Sequence, residues 1–363
     1  MWDGVRPTLA SMAAPMSVAN ASTASRRRRI RAIQLFFAAA LIVVTFAVFL
    51  PSIADYGSVW DAVRTMSTWQ VALLAVVAIW NLLTFGPNWM VAVPGLGFWQ
   101  AFEVTMASTA VANVVPAGSA VSFGISWAML REWGFERRAV ALALILNGIW
   151  NNMVNVGYPL VAVGLLAITG EENAVLTRAA FFGAALLVIG VAVLVAIMHS
   201  EKQAVRFGRF WDRIASAVLR PVRRGPVQGS GVALVRFRLD SLELLRRRWH
   251  ALTVAIVVGT LSVFLVLFVA LRVTGVGSTE VTLVEAFTAW SLVRLLTALP
   301  LTPGGIGITE LVLVGTLTGF GGDEAEVVAA VLLFRALTLL PPVFIGAVVA
   351  FTWRRHERPV TPA

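Results

Sequence analysis

Leu299-Pro300-Leu301-Thr302-Pro303-Gly304-Gly305-Ile306-Gly307-Ile308-Thr309-Glu310 interrupts a hydrophobic run with two prolines and three glycines, then sets a carboxylate where the apolar pattern resumes. Proline lacks an N–H and restricts the residue before it, so Pro300 and Pro303 end one helix. Gly304 and Gly305 permit a tight reversal, and a second helix is expected to start near Ile306. Its unpaired N–H groups and positive dipole end would face the turn. In a bilayer, such broken backbone survives only where protein buries it or a cavity hydrates it.

The surrounding composition is that of a membrane protein. Of the 363 residues 58% are hydrophobic and 13% charged, and the mean hydropathy is +0.83, far from the balance of a soluble domain. The absence of cysteine excludes disulfides, thiolate nucleophiles and cysteine metal sites. The three histidines are scattered at the edges of apolar runs, and there is no Gly-Lys-Ser/Thr phosphate loop. No metal, cofactor or catalytic residue is therefore expected.

Residues 1–25 are small, polar and expected to be disordered. Four consecutive arginines, Arg26 to Arg29, precede an apolar run at 33–50 that reads as a first span; a cleaved signal peptide is the competing reading. A second span covers about 69–91, with tryptophans at its ends. Two arms follow, 99–115 and 118–130, joined at Pro116-Ala117-Gly118. At 1.5 Å per residue each reaches only about 20–26 Å of a ~30 Å hydrocarbon core, so a re-entrant hairpin over 99–131 fits better than two spans. Spans at 139–168, with Pro159 inside, and 175–198 complete a first membrane half, 26–198. Residues 199–249 form a basic linker whose flanks, 207–219 and 234–245, read as membrane-surface helices. The second half, 250–353, holds a span at 251–273, a hairpin over 286–318 around the opening motif, and a span at 327–351; residues 354–363 are a tail. The expected fold is thus an all-α polytopic membrane protein of about six spans and two re-entrant hairpins.

Charge sets the orientation. With the N-terminus in the cytoplasm, cytoplasmic segments carry 24 of the 29 basic residues and external loops three, a strong positive-inside pattern. Both termini and the linker then face the cytoplasm. The linker alone holds 12 Lys+Arg against four Asp+Glu, which points to anionic lipid as the partner and away from nucleic acid. Arginine dominance suggests a GC-rich bacterial genome, hence a bacterial inner membrane; assembly into oligomers stays open.

The halves look like copies. An offset of 187 residues places Pro116 on Pro303, Gly118 on Gly305, Gly134 on Gly321 and Glu136 on Asp323. The first unit would begin outside and the second inside, so the repeats would be inverted, a transporter pattern.

Pro303-Gly304-Gly305-Ile306-Gly307-Ile308-Thr309-Glu310, followed by Arg335 in the last span, resembles the transmembrane domain family of lysylphosphatidylglycerol synthase/flippase, over approximately residues 30–353. The first hairpin departs from that family's pattern: Pro116-Ala117-Gly118-Ser119-Ala120 lacks its Gly-Glu and arginine, and Leu146-Asn147-Gly148 stands where another arginine is often found. Only about ten residues follow the last span, so the resemblance implies lipid translocation and not the synthase reaction.

Four charges fall inside apolar elements: Glu103, Arg294, Glu310 and Arg335. A bare charge at the bilayer centre costs about 2.5–3.5 kcal/mol on insertion scales, so each should have a partner. Glu310 and Arg335 are either a structural ion pair or a phosphate site in which the carboxylate yields to the ligand. Arg294 either lines the same path or snorkels to the interface, and Glu103 reads as interfacial. Asn147, Asn151 and Asn155 recur every four residues and share a helix face, either for interhelical hydrogen bonds or as a polar stripe beside a headgroup. Asn113 should sit at the tip of the first hairpin. The candidate substrate-binding set is Pro303, Gly304, Gly305, Gly307, Glu310, Arg335, Arg294, Pro116, Gly118, Asn113, Asn147 and Asn151. Translocation of a phospholipid or a polyprenyl-phosphate-linked lipid is the leading function; a small-anion transporter and a non-transporting scaffold are the alternatives.

Overall fold

The computed structural model describes residues 66–115, 118–169, 230–297 and 303–353, with positions 64, 185, 188–190 and 192. The expected first span, most of the run at 175–198, the helix at 207–219 and both termini lie outside the described residues. Among the described residues every regular element is helical. Four helical segments are long and apolar enough to cross a membrane: Thr68–Ala92, Arg137–Ile168, Arg247–Thr274 and Glu324–Val349.

Helix α1, Thr68–Thr84, starts at a capping box. Ser67 Oγ accepts from Gln70 N, and Ser67 N donates to Gln70 Oε1 at 2.8 Å. The span continues as α2, Gly86–Ala92, with Pro87 in its first turn. Proline removes one ladder hydrogen bond there, so a single span carries a break. Helices α3, Phe98–Val114, and α4, Gly118–Glu132, are the arms of the first hairpin. Their 17 and 15 residues reach about 25 and 22 Å. Helix α5 runs Arg137–Thr169 with Pro159 inside.

Helix α6, Ser230–Thr274, corrects the expected linker. The stretch 234–245 is not a separate surface helix, because one 45-residue helix passes through the 249/250 boundary. No glycine or proline occurs between Val232 and Val258, so nothing interrupts the ladder where the sequence changes from basic to apolar. The second hairpin comprises α7, Leu283–Thr297, a 3₁₀ turn at Pro303–Gly305 and α8, Ile308–Gly319. The last helix, α9, is Glu324–Thr352.

The packing is reciprocal. The first arm of each hairpin lies on the closing span of the other half: α3 on α9, and α7 on α5. At the α3–α9 crossing a Cβ on Gly346 would strike the Met106 carbonyl and Ala110, so the backbones touch through a small residue. The turns also correspond. Gly134 and Gly321 both take left-handed φ, 96° and 114°. Gly134 N donates to Arg131 O and Phe135 N to Leu130 O; at the same offset Gly321 N donates to Thr318 O and Gly322 N to Leu317 O. Each set closes the helix end by satisfying its last carbonyls, and α5 and α9 begin at Arg137 and Glu324, again 187 residues apart.

Two apolar cores result. One joins α6, α7, α8 and α9 around Leu271, Trp290, Leu317 and Val331. The other joins the first hairpin to the end of α9 around Val104, Leu130, Trp133 and Trp353. Between α1 and α6, Asn81 Nδ2 donates to Ser262 Oγ at 2.7 Å, an interhelical hydrogen bond in the apolar interior.

Candidate functional site at the hairpin tips

The second hairpin's tip depends on glycine. Gly304, Gly305 and Gly307 all have left-handed φ, 58°, 65° and 80°, a region that costs other residues about 1–2 kcal/mol. Two are also sterically required. A Cβ on Gly305 would lie 2.9 Å from both Thr297 Cγ2 and Thr309 Oγ1, and one on Gly304 would lie 3.2 Å from the Asn113 carbonyl oxygen. That second contact joins the two hairpins, because Asn113 is in the last turn of α3. The tips therefore meet.

Helix α8 begins two residues later than expected, at Ile308, since Gly307 cannot be helical at φ 80°. This register makes Glu310 the third helical residue, and its Oε2 accepts from Gly307 N at 2.7 Å. Glycine offers no side chain to return the bond, so only half of a capping box forms. The other oxygen, Oε1, accepts from Arg335 Nε at 2.6 Å, and Arg335 Nη2 donates to Gly304 O at 2.9 Å. The guanidinium thus bridges the carboxylate and the turn carbonyl, fastening the tip to α9. The arginine side chain is 6% exposed and the glutamate 19%.

Depth follows from position along the spans. Arg335 lies 11 residues from Glu324 and 14 from Val349, about 17 and 21 Å along the helix. Asn155 is likewise near the middle of Arg137–Ile168. Asn155 Oδ1 accepts from both Nε and Nη2 of Arg294, at 3.1 and 3.0 Å. Arg294 therefore does not snorkel. It turns inward to α5 at mid-span, with its guanidinium 5.8 Å from the Trp290 ring centroid.

The remaining candidates separate. Gly118 is where the first hairpin reverses, since a Cβ there would strike the carbonyls of Val111 and Ala112. Pro116 lies outside the described residues, and Pro303 opens the 3₁₀ turn. The asparagine stripe is divided: Asn147 and Asn155 are buried, whereas Asn151 is exposed, because a four-residue step advances each side chain about 40° around the helix. Neither amide atom of Asn147 has a hydrogen-bond partner. In the first half, Phe123 packs at 3.4 Å against the space a Gly148 Cβ would fill. These two positions are the equivalents, at the 187-residue offset, of Glu310 and Arg335, so the ion pair of one half is an aromatic–glycine contact in the other. Asn155, Tyr158 and Trp290 complete the surroundings of Arg294. Asn155 was legible as part of the stripe; the two aromatics carry no signal that separates them from core residues.

The lysylphosphatidylglycerol synthase TM region family model matches residues 34–346, which include both hairpins, Glu310 and Arg335. The chain belongs to that family. It is a multi-pass membrane protein of phospholipid metabolism or transport. Comparison with curated proteins gave no match.

Proposed function

We propose that the protein moves the polar headgroup of a phospholipid between the leaflets of a bacterial inner membrane, with both termini cytoplasmic. The observation that carries this reading is the contact of two hairpin tips, Gly304 against Asn113, at the depth of Arg335. Arms of 12–17 residues are too short to cross the core. The positive-inside charge pattern makes the first hairpin open to the cytoplasm and the second to the outside. Reciprocal packing and the matched helix ends support two inverted repeats, whose broken helices meet near the midplane. Irregular backbone at that depth requires burial or hydration. A headgroup using the same gap keeps polar partners throughout its passage while its acyl chains remain in lipid. The Glu310–Arg335 pair holds the second tip to α9, and exchange of the carboxylate for a phosphate would loosen it. No covalent step is involved.

The test is leaflet exchange of fluorescently labelled phosphatidylglycerol in proteoliposomes, read by loss of outer-leaflet fluorescence on dithionite addition. Exchange well above protein-free vesicles is expected. Folded protein that leaves the inner-leaflet fraction unreachable would refute translocation and favour the scaffold.

A further inference from the structure

Arg335 is partnered by a carboxylate, whereas Arg294 is not. Among the described residues Arg294 has a single hydrogen-bonding partner, the Asn155 amide oxygen, which is neutral. Glu310, the carboxylate of the adjoining arm, is already engaged by Arg335 and Gly307 N. A guanidinium at mid-span is costly to leave without an anion. Arg294 is enclosed by protein yet keeps part of its surface open, as a side chain on the wall of an internal crevice does.

Two further donors lie in the same cluster. Tyr158 follows Asn155 by three residues on α5, and Trp290 precedes Arg294 by four on α7, so each shares a helix face with its neighbour. Their rings stack at 4.9 Å between centroids. Both are buried, 6% and 1% exposed, and both polar atoms, the Tyr158 hydroxyl and Trp290 Nε1, have no hydrogen-bond partner. A buried unpaired donor costs about 1–3 kcal/mol, and two of them beside an uncompensated cation mark an anion that is missing.

We propose that Arg294, with the Tyr158 hydroxyl and Trp290 Nε1, binds the phosphodiester of a phospholipid headgroup at the middle of the membrane. The proposal rests on the translocation reading for its ligand. It moves the anion-binding role from Arg335, whose charge is balanced within the protein, to Arg294, whose charge is not. Asn155 then orients the guanidinium and leaves the ligand its remaining N–H groups.

The experiment is calorimetric titration of the full-length protein in neutral maltoside micelles with dihexanoyl-phosphatidylglycerol, and separately with inorganic phosphate. Saturable binding of the lipid is expected, weakened at least about 10-fold in Arg294→Gln, as befits loss of a charged hydrogen bond. Tyr158→Phe and Trp290→Phe each delete a polar group that touches no protein partner, so a structural role predicts no loss. Several-fold weaker lipid binding in both, at unchanged thermal stability, is the result expected here. Because these two variants preserve the packing, they keep the test decisive if Arg294→Gln fails to fold. Wild-type affinity in both phenylalanine variants would overturn the site. Equal affinity for inorganic phosphate would overturn the lipid assignment in favour of a soluble anion. Binding does not require transport: vesicles without leaflet exchange would sink translocation alone, while lipid binding indifferent to these substitutions would sink this site alone.

Discussion

Replacing Glu310 by leucine should destabilise the protein more than replacing Arg335 by methionine, and the double variant should be less damaged than the sum of the two. Breaking a buried ion pair on one side leaves a stranded charge and typically costs about 3–5 kcal/mol. The two strandings differ here. Without Glu310, the guanidinium is 6% exposed and keeps only the Gly304 carbonyl. That places Glu310→Leu at about 3–5 kcal/mol, or roughly two to three and a half decades in the folding equilibrium. Without Arg335, the carboxylate retains 19% exposure and the Gly307 N–H at 2.7 Å, and it can also accept a proton. About 2–3 kcal/mol is expected for that variant, from the lower end of the same range. Removing both charges strands neither, so the pair should show a coupling of a few kcal/mol in a double-mutant cycle. Unfolding would be followed by steric trapping in micelles, which reports an equilibrium where thermal scans of membrane proteins are irreversible. Additive single effects, or the larger loss in Arg335→Met, would show that the geometry at the tip is not what holds the charges.

Gly305→Ala should cost about 2 kcal/mol or more, because a left-handed φ adds to 2.9 Å contacts with Thr297 and Thr309, whereas Gly307→Ala meets no atom within 4 Å and should cost about 1 kcal/mol from φ alone; unfolding midpoints in micelles will rank them. Gly346→Val should separate α3 from α9 and give little folded protein by size-exclusion profile, since even a methyl group there would strike the Met106 carbonyl. Arg335→Lys should slow leaflet exchange of labelled phosphatidylglycerol by about 10-fold, because an ammonium cannot serve Glu310 and Gly304 with one planar fork. Cysteines at Ser230 and Ser278 should be labelled from inside and outside respectively in intact cells; the opposite pattern would invert the topology and the repeat orientation with it.

The apolar content, the proline and glycine break at 300–307 and the position of Arg335 were enough to determine an all-α membrane protein with a broken helix at the second hairpin. These features are local: proline removes a hydrogen bond, glycine admits φ near 60–80°, and length alone limits an arm. The repeat offset was legible for a related reason, since the glycine and acidic residues at Gly134, Glu136, Gly321 and Asp323 end and start helices by their own backbone chemistry. Helix continuity from Ser230 to Thr274 was obscured because hydropathy changes at 249 while helix propensity does not.

Tertiary structure alone decided which charges find each other. Glu310 and Arg294 are both polar interruptions of apolar arms, and nothing in their neighbours along the chain assigns one a partner and leaves the other without. Glu310 meets Arg335 because Gly307, at φ 80°, delays α8 and turns the carboxylate toward α9. Arg294 meets a neutral amide because α7 lies on α5 rather than on a helix with an acid at that depth. The physical reason is that partner choice in a membrane interior is set by helix packing across more than 100 residues of sequence. A sequence records that each charge needs a partner; only the packed helices determine which ones obtain it.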